Sequence, residues 1–467
     1  MSRTETDICV IGAGSAGLSV AAGAAQLGAR VVLIEGGQMG GDCLNHGCVP
    51  SKALIAAARR AEAVRRGGPG VTGAEPGIDF AAVKDHLDAV IAAIAPMDSQ
   101  ERFEGLGCRV IRDWARFVGP REVAAGQERI RARRIVIATG ARPAIPPIPG
   151  IGEVEVLTNE TVFALRERPE HLVILGAGPI GLELAQAHRR LGCRVSVVEA
   201  GRALGREDPG MVGPLLAQLR AEGIAIHEGV RVERVSGPAV LQTDKGEIAG
   251  THLLVAAGRV ANLAALDPAA GGVAVDARGV RVDGRLRSVS NRAVFALGDV
   301  AGGGFTHVAG YQAGIVVRQA VLGLPARLRT DHLPRVTFTA PELAHVGLTE
   351  AEARARFGGR LEVVSVPFGH NDRAVAEAET VGMAKVMVAR GRPVGATILG
   401  PQAGELIGLW SLAIANRLRM TAVAATVLPY PTLGEIGKRA AGAYLGPRLF
   451  ASPVLRALVR GVQRWLP

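Results

Sequence analysis

An α/β fold is predicted, with one βαβ unit used twice and a separate α+β region behind the second copy. Three observations predict it. A strand, a Gly-x-Gly-x-x-Gly turn, a helix and a second strand ending on an acid run over residues 7–35 and again over 172–199. Each copy is followed by another buried-type strand closing on glycine. The chain has 467 residues, beyond the roughly 250–300 at which a single core stops growing.

In the first copy, Asp7 to Ile11 leads into Gly12, Gly14 and Gly17, an alanine-rich helix reaching Gly28, and a strand Val31 to Ile34 that ends at Glu35. In the second, Leu172 to Leu175 leads into Gly176, Gly178 and Gly181, a helix reaching Gly192, and a strand Val195 to Val198 that ends at Glu199. The interval from last glycine to acid is the same in both. The first glycine makes the tight turn, the second lets a pyrophosphate approach the backbone, and the third lets helix and strand pack closely. The helix N-terminus offers unpaired N–H groups to phosphate, and the acid accepts a ribose 2′-OH. Each copy therefore reads as a Rossmann-like dinucleotide-binding domain.

Between the copies, Arg134 to Gly140 reads as a buried strand and Pro143 to Pro149 as a crossover linker. A matching strand, Leu253 to Arg259, follows the second copy, and Ala293 to Val300 supplies another that carries Asp299 near its end. After about Leu333, strand-like runs at Arg335–Thr339, Leu361–Pro367, Gly382–Val388 and Val394–Leu399 precede two helical segments, the mark of a separate α+β domain.

Apolar residues make up 48% of the chain, with a mean hydropathy of +0.24, and Gly, Pro or a charge interrupts every apolar stretch before it is long enough to span a bilayer. The first strand starts almost at once, without a signal-peptide layout, so a cytoplasmic protein is expected. The net charge of +11 is read as an arginine-rich surface. Aromatic residues are only 3% and no nucleic-acid module is visible, so no nucleic-acid partner is expected. Five cysteines are too few and odd in number for a secreted disulfide framework. Cys9, Cys108 and Cys193 sit singly in apolar settings and read as small buried hydrophobes.

Cys43 and Cys48 differ. They lie in Gly40-Gly41-Asp42-Cys43-Leu44-Asn45-His46-Gly47-Cys48-Val49-Pro50-Ser51-Lys52, and their spacing is about one helical turn, which puts both sulfurs on one helix face within disulfide reach. A zinc site needs two further ligands that His46 alone does not supply, so no metal is expected, and a static disulfide suits a cytosolic protein poorly. A redox-active pair is the reading.

This string, with Ala138-Thr139-Gly140, Leu297-Gly298-Asp299 and Gly176-Ala177-Gly178-Pro179-Ile180-Gly181-Leu182-Glu183, resembles the flavoprotein disulfide reductases, which include dihydrolipoamide dehydrogenase, glutathione reductase and mercuric reductase. The resemblance runs from about residue 5 to Tyr444. It implies FAD in the first Rossmann-like domain, NAD(H) in the second, and a C-terminal α+β dimerisation domain forming a homodimer. The implied divisions are 1–150 and 271–332 for FAD, 151–270 for NAD(P), 333–447 for dimerisation and 448–467 as a tail. Residue by residue, it makes Cys48 the sulfur nearest the flavin and Cys43 the thiol that exchanges with substrate. It places Lys52 near the flavin and paired with Glu183, Glu35 on the FAD ribose, Asp299 on another part of FAD, and Thr306 near the isoalloxazine. Thr139, Gly140 and Gly258 complete the implied cofactor contacts. Glu199 accepts the 2′-OH of NAD and repels a 2′-phosphate, so NADH is expected over NADPH, with Arg202 close by.

The chain departs from the family at one site. Lipoamide dehydrogenases and glutathione reductases carry a C-terminal His-Pro, with a Glu a few residues on, that supplies an acid–base from the partner subunit. Here Tyr430 takes the histidine position and Glu435 the glutamate position. A phenol with pKa about 10 is a poor base at neutral pH, where an imidazole of about 6.5 serves. Tyrosine here is similar to mercuric reductases, yet the sequence reaches Trp465-Leu466-Pro467 without a C-terminal cysteine pair or an N-terminal metal-capture domain, so efficient mercury handling is not expected. The expected function is FAD-dependent oxidation or reduction of a small or protein-bound dithiol, most like dihydrolipoamide dehydrogenase. The alternatives are a mercuric-reductase-like reduction of a metal ion or quinone-like acceptor, and a flavoprotein subunit with little activity of its own. In the tail, Val454, Leu455, Leu458, Val459 and Val462 follow a helical period and Arg456, Arg460 and Arg464 recur every fourth residue. Such a helix packs on protein or lies on an anionic inner-membrane surface.

Overall fold

The computed structural model describes residues 2–465, and the chain divides into two compact units. The first runs from the N-terminus to Ala177 and adds Ala187–Ala200 and Gly229–Leu328. Its larger sheet orders the strands Cys108–Ile111, Val31–Ile34, Ser2–Ile11, Glu128–Ile137, Glu122–Ala125 and Ala115–Gly119, and Val294–Ala296 also pairs with Glu128–Ile137. The strands around Ser2–Ile11 are parallel, with Ile8 opposite Val31 and Ile11 opposite both Ile34 and Ile137. Parallel strands covered on both faces read as unbroken apolar runs, and Ile8, Cys9, Val10 and Ile11 are all buried. Val10, Leu33 and Phe295 pack with helices Ser15–Gln26 and Thr306–Ala320 in one cluster. Cys9, Val32, Phe117 and Ile130 belong to another. Burial pushes the Cys9 thiol up to about 12, as a small core hydrophobe requires.

The pairing of Val294–Ala296 with Glu128–Ile137 returns the chain to the first sheet after the second fingerprint, so Asp299 and Thr306 sit with the cysteine segment. A second parallel arrangement orders Arg194–Glu199, His171–Leu175, His252–Val255 and Val156–Leu157, next to an antiparallel three-stranded sheet over residues 232–250. Ala141–Pro143 pairs antiparallel with Arg259–Ala261.

The second unit comprises Gly178–Gln186, Gly201–Glu228 and the chain from Arg329 onwards. Its antiparallel sheet orders Pro334–Thr337, Glu342–Gly347, Arg392–Gly400, Met383–Ala389 and Leu361–Pro367. Phe368, Trp410 and Tyr444 share its core. The strand Glu342–Gly347 is absent from the sequence reading. It is buried yet carries Glu342 and His345, whose polar atoms are satisfied locally by Gly404 N–H and by Thr397 with Gly347. After Leu333 the helical segments number more than the two expected: Glu350–Phe357, Ala403–Ala415, Glu435–Phe450 and Pro453–Trp465 are the longer ones. Among the described residues no helix is long and apolar enough to cross a membrane.

Candidate active site

The cysteine segment is held against the first fingerprint by backbone. Gly40 and Gly41 are both left-handed, with φ of 85° and 60°; Gly40 N–H donates to Ala13 O at 2.9 Å. A Cβ on Gly41 would stand 2.7 Å from Gly14 Cα, so only glycine permits this approach. The two cysteines do not share one helix, as their spacing suggested. Cys43 lies in the short helix Gly41–Asn45, the chain breaks at His46 and Gly47, and Cys48 opens the helix Cys48–Arg66. A Cβ at Gly47 would come 2.9 Å from Asp42 O, and this tight break turns Cys48 back toward Cys43.

Both cysteines are free thiols and hydrogen-bond to each other. Cys48 Sγ lies 3.3 Å from Thr306 Oγ1, and Cys43 interacts with the hydroxyls of Thr306 and Ser15. Ser15, Cys48 and Thr306 are each the first residue of a helix. Three helix N-termini therefore converge on the sulfurs, and their unpaired N–H groups and dipoles favour an anion there. The Cys48 thiol is lowered to about 6, chiefly by the hydrogen bond from Cys43, with help from Thr306 and the charge of Lys52 and against the effect of burial. Cys43 is pushed up, first by the same hydrogen bond and then by burial. One proton is shared unequally, and Cys48 is the thiolate.

Lys52 stands one turn into the Cys48–Arg66 helix, its Nζ 3.5 Å from Ser51 Oγ. Asp42 is tied by Asn159 Nδ2 at 2.9 Å and by Arg259 at 3.1 Å. Arg259 also reaches Asp299 at 3.4 Å, whose carboxyl is raised by burial. Thr139 Oγ1 donates to Asn262 O at 2.7 Å, and Asn262 Nδ2 donates back to Thr139 O. Gly140 and Gly258 both have positive φ.

The two fingerprints have matching geometry. Glu35 accepts from Ala13 N–H at 2.5 Å and Glu199 from Ala177 N–H at 3.0 Å. Gly12 and Gly176 are left-handed, and a Cβ on either would strike a carbonyl of the adjoining strand. Gly17 abuts Gly12 O, where a Cβ would come to 1.9 Å. The middle glycines differ: a Cβ on Gly178 would meet nothing within 4 Å, and one on Gly14 only Gly41 Cα at 3.8 Å. Internal packing does not require glycine at these two positions, whereas a pyrophosphate drawn close to the backbone does. The residues present fit a dinucleotide in each fingerprint.

The second unit holds Glu183, Tyr430 and Glu435. Glu183, 5% exposed, accepts from Phe338 N–H at 2.9 Å, and Gly181 lies in the same helix, Pro179–Arg190. Tyr430 is 70% exposed; its hydroxyl donates to Asp372 Oδ2 at 3.0 Å, while Arg439 binds Asp372 Oδ1 at 3.0 Å. That hydrogen bond and the negative charge raise the phenol's pKa. Glu435 opens the helix Glu435–Phe450, and its Oε2 is buried without a hydrogen-bond partner. Among the described residues no group of three or more His, Cys, Asp or Glu is placed to hold a metal ion.

Sequence reasoning missed Ser15, Asn159, Asn262 and Asp372. Ser15 was readable, because it follows Gly14 as the first helical residue of a fingerprint. Asp372 carries no local signal, being 58 residues from Tyr430.

The family model described as pyridine nucleotide-disulphide oxidoreductase matches residues 6–314, and that of the same family's dimerisation domain matches residues 333–441. The chain is 36% identical to a mercuric reductase of Acidithiobacillus ferrooxidans, covering 94% of this chain and 82% of that one. It is 35% identical to a mercuric reductase of Streptomyces lividans, over 94% and 96%. Among solved structures, the Cu(II) complex of the HOCl-induced flavoprotein disulfide reductase RclA from Escherichia coli superposes with a TM-score of 0.83 at 30% identity, covering 93% and 99%. LpdA from Mycobacterium tuberculosis does so with a TM-score of 0.85 at 25% identity, covering 94% and 99%.

Proposed function

The chain belongs to the class I pyridine nucleotide-disulphide oxidoreductases, and on that premise we propose that it draws electrons from NADH and delivers them through Cys43 and Cys48 to a thiophilic metal ion. Family membership makes it an FAD-dependent enzyme that uses a pyridine nucleotide, and the matched dimerisation domain supports a homodimer. Bound FAD would supply two-electron transfer between the nicotinamide and the cysteine pair. Gly12, Gly14, Gly17 and the N-terminus of Ser15–Gln26 would hold its pyrophosphate and Glu35 its ribose. Lys52, Thr139, Gly140, Asp299 and Thr306 would line the remainder. Gly176, Gly178, Gly181 and Gly258 would receive the nicotinamide nucleotide. Glu199 favours NADH, because its carboxylate accepts a 2′-OH and repels a 2′-phosphate.

The observation that carries the substrate reading is the Tyr430 phenol, bound to Asp372 with its pKa raised. Exchange with a dithiol at neutral pH calls for a base that titrates near 7, and this phenol is a proton donor instead. A soft metal ion needs no such base. Cys48 is already anionic, and Cys43 releases its proton as the ion binds both sulfurs. An Hg(II) ion would accept two electrons and leave as the element, whereas two Cu(II) ions would be needed per NADH, each accepting one electron to become thiolate-preferring Cu(I). The mercuric reductases among the relatives and the Cu(II) complex among the structural neighbours support this chemistry.

A dihydrolipoamide-type dithiol is the second reading, favoured by the divided thiol pKa values of Cys43 and Cys48. Steady-state NADH oxidation with Hg(II) or Cu(II), set beside NAD reduction by dihydrolipoamide, separates the two. Metal-dependent NADH oxidation by wild type, lost in Cys43→Ser, is expected, with dihydrolipoamide turnover appearing only in Tyr430→His. Wild-type dihydrolipoamide turnover equal to that of Tyr430→His, without any metal response, would overturn the proposal.

A further inference from the structure

The helix Pro453–Trp465 has no part in the redox site. Ser452 caps it by accepting from Leu455 N–H at 3.3 Å, and Pro453 suits the first helical position. The helix buries no residue. An isolated helix of 13 residues is marginal in water and is ordinarily stabilised by burying an apolar face. At 100° per residue, Val454, Leu455, Leu458, Val459, Val462 and Trp465 fall within one arc, and Arg456, Arg460 and Arg464 fall on the opposite side. All six apolar side chains are exposed, and exposed Leu449 and Phe450 lie just before them in the chain.

Charge identifies the covering partner. No Asp or Glu occurs after Glu435, while Lys438, Arg439, Arg448, Arg456, Arg460 and Arg464 are all basic, on a chain of net charge +11. A second copy of this helix could cover the apolar arc, but it carries no carboxylate to pair with the arginines, which would stay on the outer faces. An anionic lipid surface accepts the apolar arc among its acyl chains and pairs the arginines with headgroups, with Trp465 at the interfacial level. We infer that Pro453–Trp465 is an in-plane anchor that docks the enzyme on an anionic bilayer.

The test is flotation of the full-length holoenzyme with vesicles of phosphatidylglycerol and phosphatidylcholine, and with vesicles of phosphatidylcholine alone. Binding to the anionic vesicles is expected, weakened by salt, with a blue shift in emission that is absent from Trp465→Phe. Replacing Arg456, Arg460 and Arg464 by Gln should lower affinity roughly fivefold per residue, about a hundredfold together. Leu458→Glu with Val462→Glu should abolish binding and leave NADH oxidation intact, since neither side chain is buried. Absence of binding to anionic vesicles at low salt would overturn the inference. So would equal affinity of the arginine variant, or dissociation of the oligomer by Leu458→Glu with Val462→Glu, which would assign the apolar arc to a second copy.

Discussion

Cys48 Sγ sits 3.3 Å from Thr306 Oγ1, so the first residues of two helices from distant parts of the first unit meet at the thiolate. The helix dipoles set a favourable field, and the hydroxyl adds a directed donor. A hydrogen bond to a charged group contributes about 1.5–3 kcal/mol, and one pKa unit is about 1.4 kcal/mol.

Thr306→Val keeps the side-chain shape and removes that donor. The Cys48 thiol is expected to rise from about 6 by roughly one unit. The pH profile of iodoacetamide alkylation of the reduced protein reads this directly, and an unshifted midpoint would remove Thr306 from the account.

Asp372 has a comparable influence on Tyr430. Its carboxylate accepts the phenol's hydrogen bond and disfavours a neighbouring phenolate. Asp372→Asn is expected to lower the Tyr430 pKa toward the ordinary value. Phenolate absorbance during alkaline titration checks it, with Tyr430→Phe identifying the contribution among three tyrosines.

Lys84 is a buried charge with one carbonyl partner. It is 1% exposed, donates to Val162 O at 3.1 Å, and faces the Phe80 and Phe163 rings. Burial lowers its pKa from 10.5 to about 8. Between those values the unfolded chain binds the extra proton, so this group makes stability rise with pH across the window from about 8 to 10.5. Lys84→Met is expected to stabilise the protein by about 1–2 kcal/mol at pH 7, once the lost bond to Val162 is set against the removed charge. It should also flatten the alkaline rise in denaturant midpoint. Unchanged pH dependence would contradict the assignment.

Much of this architecture was legible because glycine and buried strands leave strong traces. Gly12, Gly17 and Gly176 are demanded by contacts that a Cβ would violate, and the apolar runs Ile8–Ile11 and Val31–Ile34 mark strands covered on both faces. The cysteine pair was legible as chemistry but not as geometry: spacing suggested one continuous helix, and Gly47 instead permits a break that makes Cys48 an N-terminal residue. Thr306 was reached only through family resemblance, because its approach to Cys48 depends on the chain returning through Val294–Ala296. Glu342–Gly347 escaped because its buried Glu342 and His345 hide the apolar pattern. Asp372 escaped because a pairing across 58 residues has no periodicity to betray it.

The pH titration of thiolate absorbance in the reduced protein, compared with Cys48→Ser and Cys43→Ala, tests most directly whether Cys48 is the thiolate. One ionisation near pH 6 is expected in wild type and is absent from Cys48→Ser. In Cys43→Ala it should move upward, because the hydrogen bond donated to Cys48 is gone. No thiolate below about pH 8, or an acidic ionisation that survives in Cys48→Ser and vanishes in Cys43→Ala, would contradict the assignment.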